Sequence, residues 1–556
     1  MQSVARYARW QHEFDPAAKV VCVVFESPEG IPVSRPAFAH QPAALQVDCH
    51  GYEMLVPQGS PVTAVRFTPT TVGAYRYQAL DSADAVVEQG TFVCELSDSP
   101  GYIERSPHDP RYLVHSDGSP YCSIGLNLCG PPRYPLPRGM AHFETAEAYA
   151  TLGSSDYRRW FRTLASQGGN YARIWLSNPY FQVETETAGE LDVAAFARLD
   201  AVVELARQYG IRLKLCFEHF RTFDLGSSFS RTLRHPQDGR SPKDVDEWFQ
   251  QDAWRDLWLK KVRAYLARYG GDPTVMAWEL WNENDCVQVS RWEIVRDWTR
   301  DMLREIKRLE PSQLVVNSLG SFDDPRKTRI QDDFHMEEMD FQQVHRYLDQ
   351  GAPWEISALD PVALSVDAIQ RARRPDRPIL LAETGGVNDR HTGPFRYYRM
   401  DHRGILLHDT TYPAFFAGAA GSGHIWHWDS YVDTKDLWWH YKPLADLLRG
   451  MQLDREGFQP VDLSTESMWF LGLQGRSHFL GWVRNKQDSW HAVLRDEQEP
   501  EAIPEQVVDL ASLGIRSGEV TVFWPWSEDA GRATLADGSL HLPSFRYGIL
   551  IKIELA

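Results

Sequence analysis

The chain has no CxxC pair and an odd number of cysteines, at positions 22, 49, 94, 122, 129, 216 and 286. That pattern fits neither a disulfide framework nor a zinc site. Buried thiols are expected, with one bridge inside the N-terminal region left open. Positive charge is also in deficit. The formal net charge is −18, which excludes nucleic acid as a partner because phosphate binding needs a basic surface. No apolar run approaches a membrane span, so no membrane partner is expected. Met1 to Asp15 is polar and lacks the apolar core of a signal peptide. A cytoplasmic location is therefore the default expectation, with secretion the alternative if a signal segment has been removed. There is no internal repeat and no low-complexity segment. No metal and no cofactor are expected, and the oligomeric state is not legible.

What is present is a long, aromatic-rich chain. It has 556 residues, 43% hydrophobic and 12% aromatic, with 20 Trp and 22 Tyr. Sugar rings offer flat C–H faces that stack on aromatics, although Trp also simply fills cores. Residues 1–100 read as β. Short runs at Val20–Phe25, Ala64–Phe67 and Tyr75–Leu80 are bounded by Gly, Pro and Asp. Val65–Pro69 followed by Gly73–Tyr77 predicts a hairpin, and the region as a whole a sandwich. After about residue 456 the pattern is β again, in the runs Trp469–Leu473, Phe479–Arg484, Trp490–Leu494, Val520–Trp524 and Ile549–Ile553, with Asp537-Gly538 as a hairpin turn. The expected division is 1–100 N-terminal β-sandwich, 101–455 barrel and 456–556 C-terminal β-sandwich.

Between these regions, apolar runs alternate with stretches of helical period, the mark of βα units. Tyr157, Trp160, Phe161 and Leu164 form one stripe, and Leu199, Val202, Val203 and Ala206 another. The eight candidate strands are Cys122–Asn127, Tyr171–Leu176, Leu213–Phe217, Val275–Trp281, Leu314–Asn317, Phe341–His345, Ile379–Glu383 and His424–Trp428. Eight such units predict an α/β fold, a (β/α)8 TIM barrel. A doubly wound open sheet is the alternative, weakened by the lack of a Gly-rich phosphate fingerprint. The region Arg221–Asp246 predicts a long loop after the third strand.

In a barrel the reactive groups stand at the C-terminal strand ends. Polar residues accumulate there: Asn127, Arg173, Glu218-His219, Asn282-Glu283, His345-Arg346-Tyr347, Glu383, and His424, Trp426 and Trp428. Two of them are carboxylates on the fourth and seventh strands. Glycoside cleavage needs such a pair, one proton donor and one group that stays ionised.

Ala277-Trp278-Glu279-Leu280-Trp281-Asn282-Glu283 resembles the fourth-strand signature of clan A glycoside hydrolases, most of all family 5, the cellulase and mannanase family. Leu380-Leu381-Ala382-Glu383-Thr384-Gly385 resembles its seventh-strand motif. Arg173, His219, His345 with Tyr347, and Trp426 meet that family's other expectations in order. The resemblance implies a retaining enzyme on a β-linked oligo- or polysaccharide, with Glu283 as acid/base and Glu383 as nucleophile. It assigns Arg173 and Tyr347 to holding Glu383 ionised and Asn282 to the sugar 2-hydroxyl. His219, His345, Trp426 and Trp428 are assigned to the substrate. With Arg66-Phe67-Thr68-Pro69, Gly73-Ala74-Tyr75, Gly90-Thr91-Phe92 and the later Ile124-Gly125-Leu126-Asn127, the front of the chain resembles the sandwich often found before such barrels. Asn284-Asp285-Cys286 replaces the Pro often found after the acid/base, which weakens any transfer of substrate preference.

Bland readings stand beside these. Arg173 and Glu279 would also make a barrel-interior ion pair. Strand alternation points Glu279, Trp281 and Glu283 one way and sends Asn282 and Glu283 to opposite faces, unless the strand twists or bulges at its end. The competing functional reading is a non-catalytic carbohydrate-binding protein on a barrel scaffold. A metal-dependent hydrolase using His219, His345 and Asp429 lacks HxH or HExxH spacing at those positions.

Overall fold

The structure is a computed structural model that describes residues 2–132, 151–219, 233–320, 330, 336–391, 393–526 and 531–556. Of the expected loop Arg221–Asp246, residues 221–232 lie outside the described residues, and its end at Val245 already opens a helix to Gln250. The chain forms two compact units, each discontinuous in sequence. The first takes residues 1–103, 129–161 and 173–317, and the second takes 104–128, 162–172 and 318–556.

The first unit opens with a two-sheet β-sandwich. One sheet pairs strand Gly73–Leu80 with Val86–Glu95 and with Cys22–Glu26. The other pairs Val62–Phe67 with Trp10–Phe14 and Phe38–His40. The expected hairpin is therefore wrong: Val62–Phe67 and Gly73–Leu80 belong to different sheets. Residues 68–72 cross the sandwich, because Phe67 and Tyr75 both point into the layer between the sheets. There they meet Trp10, Phe25 and Phe92 in one buried cluster.

The same unit carries four strands of the βα pattern, Tyr171–Trp175 (from Arg173 on), Arg212–His219, Val275–Asn282 and Leu314–Val316. The last three run parallel in register. Every residue of Val275–Asn282 is buried, as expected of a strand covered on both faces. Helix Phe196–Tyr209 follows its predicted stripe, and helices Asp252–Tyr269 and Trp292–Leu309 flank strand Val275–Asn282 in sequence. The first ends at Gly210, whose φ of 70° supplies the left-handed cap. Buried charge ties these helices to the sandwich: Arg35 to Glu310 at 2.6 Å and Arg66 to Asp200 at 2.6 Å.

The second unit holds the sixth, seventh and eighth strand positions and the first. Gln342–His345 pairs parallel with Ile379–Glu383. The eighth position is not a full strand. Its parallel pairing reduces to the bridges Thr384–Ile425 and Ser123–Gly421, and Trp428 opens a π-helical turn to Asp433. Asn127, fully buried, staples this region by donating its amide to the carbonyls of Ala382, His424 and Ile425. It holds backbone and has no part in the chemistry proposed below.

The unit ends in sheets of five and three strands, the former centred on His478–Asn485. Ala536 and Ser539 face each other across Asp537-Gly538, both at positive φ, the turn expected there. Trp490–Leu494 is not a strand: Trp490–Arg495 is a π-helical turn capped by Ser489, and the Trp490 indole donates to the Leu359 carbonyl. A run of apolar residues that short does not discriminate strand from turn. All seven cysteines are free thiols, and no described helix is long and apolar enough to cross a membrane.

Candidate active site

The first unit gathers Arg173, Glu279 and Asn282. Arg173 grips Glu279 bidentately, Nε to Oε2 at 2.7 Å and Nη2 to Oε1 at 2.9 Å, with both side chains wholly buried. Lys214 adds a second cation 3.6 Å from the same carboxylate. Arg173 Nη2 also donates to Asn282 Oδ1 at 2.7 Å. The buried ion pair weighed from sequence is thus present, and it extends to the residue expected at the sugar 2-hydroxyl.

Strict alternation fails on this strand. Glu279 and Asn282 share Arg173, whereas Trp281 packs with Trp248, Phe249 and Trp298, which lie on helices. The neighbouring strand slips in the same place. Phe217 packs on Trp258, and the next residue, Glu218, takes the Trp258 indole N–H at 3.1 Å. A matched one-residue slip returns both Asn282 and His219 to the other face. Glu283 then leaves the strand through a left-handed backbone, φ 55° and ψ 52°. For a non-glycine residue this costs on the order of 1–3 kcal/mol. The strain is anchored on the far side, where buried Asn284 donates to Thr299 Oγ1 at 2.9 Å. Glu283 itself is partly exposed. The conflict between Asn282 and Glu283 is resolved by this turn. His219 lies beside them with its ring stacked on Trp175 at 4.7 Å and its Nδ1 2.7 Å from Ser177 Oγ.

The second unit gathers His345, Tyr347 and Glu383. The Tyr347 hydroxyl donates to Glu383 Oε2 at 2.5 Å, and His345 Nδ1 lies 3.4 Å from the same oxygen. Arg346, between them, turns away to Asp367 and Ser357, as alternation requires. Beyond Glu383, Gly385 takes φ 121°, and a Cβ there would come within 2.7 Å of the Tyr398 hydroxyl. That hydroxyl accepts the Gly386 N–H. Glycine is required for the chain to turn so closely behind the carboxylate. Trp426 and Trp428, both half-buried, meet edge to face at 5.6 Å. His424 stacks on Tyr171 at 4.0 Å and is fully buried, a core histidine.

Sequence reasoning missed Asp349 and His391. His391 Nδ1 sits 3.0 Å from Asp349 Oδ2, and the His391 ring meets Tyr347 edge-on at 5.3 Å. The signal available was the Arg- and Tyr-rich segment after the seventh strand, which has no periodicity to single out one residue. His427 was also missed. Burial pushes its imidazole down to about 3, with His391 adding to the shift.

Residues 137–403 match the cellulase family, glycosyl hydrolase family 5. The chain is 27% identical over 252 residues to mannan endo-1,4-beta-mannosidase 7 of Arabidopsis thaliana, covering 40% of this chain and 58% of that protein. It is 30% identical over 168 residues to mannan endo-1,4-beta-mannosidase 3 of Oryza sativa subsp. japonica, covering 28% and 36%. The chain thus spans less than two thirds of the length of these relatives. Among solved structures it shares its fold with a Bacteroides vulgatus protein provisionally assigned as a glycoside hydrolase, at a TM-score of 0.61, 13% identity and full coverage of both chains. These matches define a clan A glycoside hydrolase fold, and family 5 implies a (β/α)8 barrel. The chain is a family 5-like protein of that clan.

Proposed function

We propose that the protein is a retaining glycoside hydrolase acting on β-linked mannan or a related β-glycan, with Glu283 as acid/base and Glu383 as nucleophile. The observation that carries the reading is the Tyr347–Glu383 hydrogen bond, set against the ion-paired burial of Glu279. A carboxylate clamped by Arg173 and Lys214 has no proton to give and no freedom to attack. A carboxylate at a strand end, held by a phenol, keeps an attacking lone pair.

In the first step Glu383 attacks the anomeric carbon while Glu283 protonates the departing oxygen. In the second, Glu283 takes a proton from water, which displaces Glu383 from the sugar. Asn282, oriented by Arg173, bonds the sugar 2-hydroxyl. His219 and His345 take other hydroxyls, while Trp426 and Trp428 carry the C–H face of the ring. The mannan preference rests on the relatives, two of them plant enzymes named as mannan endo-1,4-beta-mannosidases.

The test is an aryl β-glycoside series with mannosides, glucosides, galactosides and xylosides. Glu283→Ala and Glu383→Ala are each expected to lose about 10³-fold or more, in the range of a missing general acid or nucleophile. Full activity in either variant ends the assignment. A non-catalytic glycan binder would bind the same sugars without turnover.

A further inference from the structure

A cavity of about 60 Å3 opens in the first unit behind the His219 strand. Trp248, Trp254, Trp258 and Leu257 wall it, and Gln182 and Thr185, both exposed, stand at its rim. Its floor is charged. Lys261 Nζ lies 2.9 Å from Glu184 Oε2 and 2.5 Å from Glu218 Oε1. Burial lowers the affinity of that amine for its proton, but the two carboxylates outweigh it and the ammonium is held firmly.

One polar group here is left over. Trp258 and Lys261 both donate to Oε1 of Glu218, which leaves Oε2 without a donor among the described residues. A carboxylate oxygen without a donor in a cavity floor suits a ligand that carries one.

The chemistry of the lining selects the ligand class. A cation would meet the ammonium of Lys261, and an anion the carboxylates of Glu184 and Glu218. An apolar molecule would leave the floor unmatched. A neutral polyol suits it: hydroxyls donate to Glu218 Oε2, while a C–H face lies against indole. The space holds roughly four to six water-sized spheres, the scale of one sugar ring and not of a chain.

We propose that this cavity is a second saccharide site, distinct from the cleavage site, that takes a single pyranose through the gap between Gln182 and Thr185. Glu218 directly precedes His219, and Ser177 both lines the cavity and bonds His219. Occupancy therefore bears on the strand end that the proposed function assigns to substrate. The choice of sugar as ligand rests on that reading, but the test is scored on binding alone, so failed hydrolysis and failed binding are separate results.

The experiment is calorimetric titration of the full chain with D-mannose, D-glucose and D-galactose. Parallel titrations use Thr185→Trp and Gln182→Trp, which plug the rim from exposed positions, and Trp426→Ala, which removes the platform of the cleavage site. A saturable site is expected for at least one sugar, weakened at least tenfold by either plug and retained in Trp426→Ala. Absence of binding for all three sugars overturns the proposal. So does binding that survives both plugs, or binding abolished by Trp426→Ala alone.

Discussion

Glu279 and Glu383 are both buried carboxylates on parallel strands, at 0% and 3% exposure, and they are held in opposite ways. Glu279 sits inside a strand between two cations. Glu383 ends its strand and is held by a phenol hydroxyl and an imidazole. A buried ion pair of the first kind is a structural commitment, because removing either partner strands the other charge in a dry interior. A carboxylate of the second kind keeps a lone pair for a reacting atom. The difference shows why a count of glutamates near a barrel mouth is a poor guide to which one reacts.

The largest effect expected from breaking this contrast is on Glu383. Glu383→Gln should abolish turnover while leaving the urea unfolding midpoint close to that of the parent. Glu279→Gln should do the reverse first, losing about 3–5 kcal/mol of stability because Arg173 and Lys214 remain buried and uncompensated. Denaturant unfolding followed by circular dichroism reads this directly. A Glu279→Gln protein of parental stability would show that the ion pair does not hold these strands together.

Much of the contrast was legible in the sequence, but not all. The parallel strands stood out because burial on both faces writes them as nearly continuous apolar runs, as in Val275–Asn282. Arg173, His345, Tyr347 and Glu383 followed from their places at strand ends. The slip that separates Trp281 from Glu279 was not legible, since alternation is the only local rule and nothing in Leu280-Trp281 announces its failure. The left-handed turn at Glu283 was equally hidden, because no glycine marks it. Residues 64–77 misled for a related reason: a sandwich crossing and a hairpin share the same strand–turn–strand pattern, and only the partner strands distinguish them. Asp349 with His391 and the Glu184–Lys261–Glu218 cluster arise from tertiary meetings that leave no spacing signature.

A smaller effect tests the grip on Glu383. Tyr347→Phe removes one hydrogen bond to a carboxylate, about 1.5–3 kcal/mol. Turnover should therefore fall roughly 10- to 100-fold with little change in folding stability. An unchanged kcat would mean that the phenol does not serve the reaction.

The remaining prediction contrasts the catalytic strands with the seam beneath the C-terminal sheets. There the buried His440 donates Nε2–H to the Arg403 carbonyl at 2.8 Å, and the Trp482 indole donates to His408 Nε2 at 2.9 Å. Burial pushes His440 down to about 3 and lowers His408 well below its usual range. Both rings stay neutral in the fold, while the unfolded chain takes up protons below about pH 6.5. Stability is therefore complete above pH 6.5 and falls as the pH drops toward 3. The slope approaches about 1.4 kcal/mol per pH unit for each histidine. His440→Gln should flatten that decline in urea midpoints measured between pH 6.5 and 4. An unaltered slope would remove His440 as a source of acid sensitivity.

The central claim is that Glu383 forms a bond to the sugar. Incubation with an activated 2-deoxy-2-fluoro-β-mannoside should add one fluoroglycosyl group per chain, and peptide mass spectrometry should find it on Glu383. A label on Glu279 or Glu283 would contradict the account, as would hydrolysis of an aryl β-mannoside with inversion at the anomeric carbon.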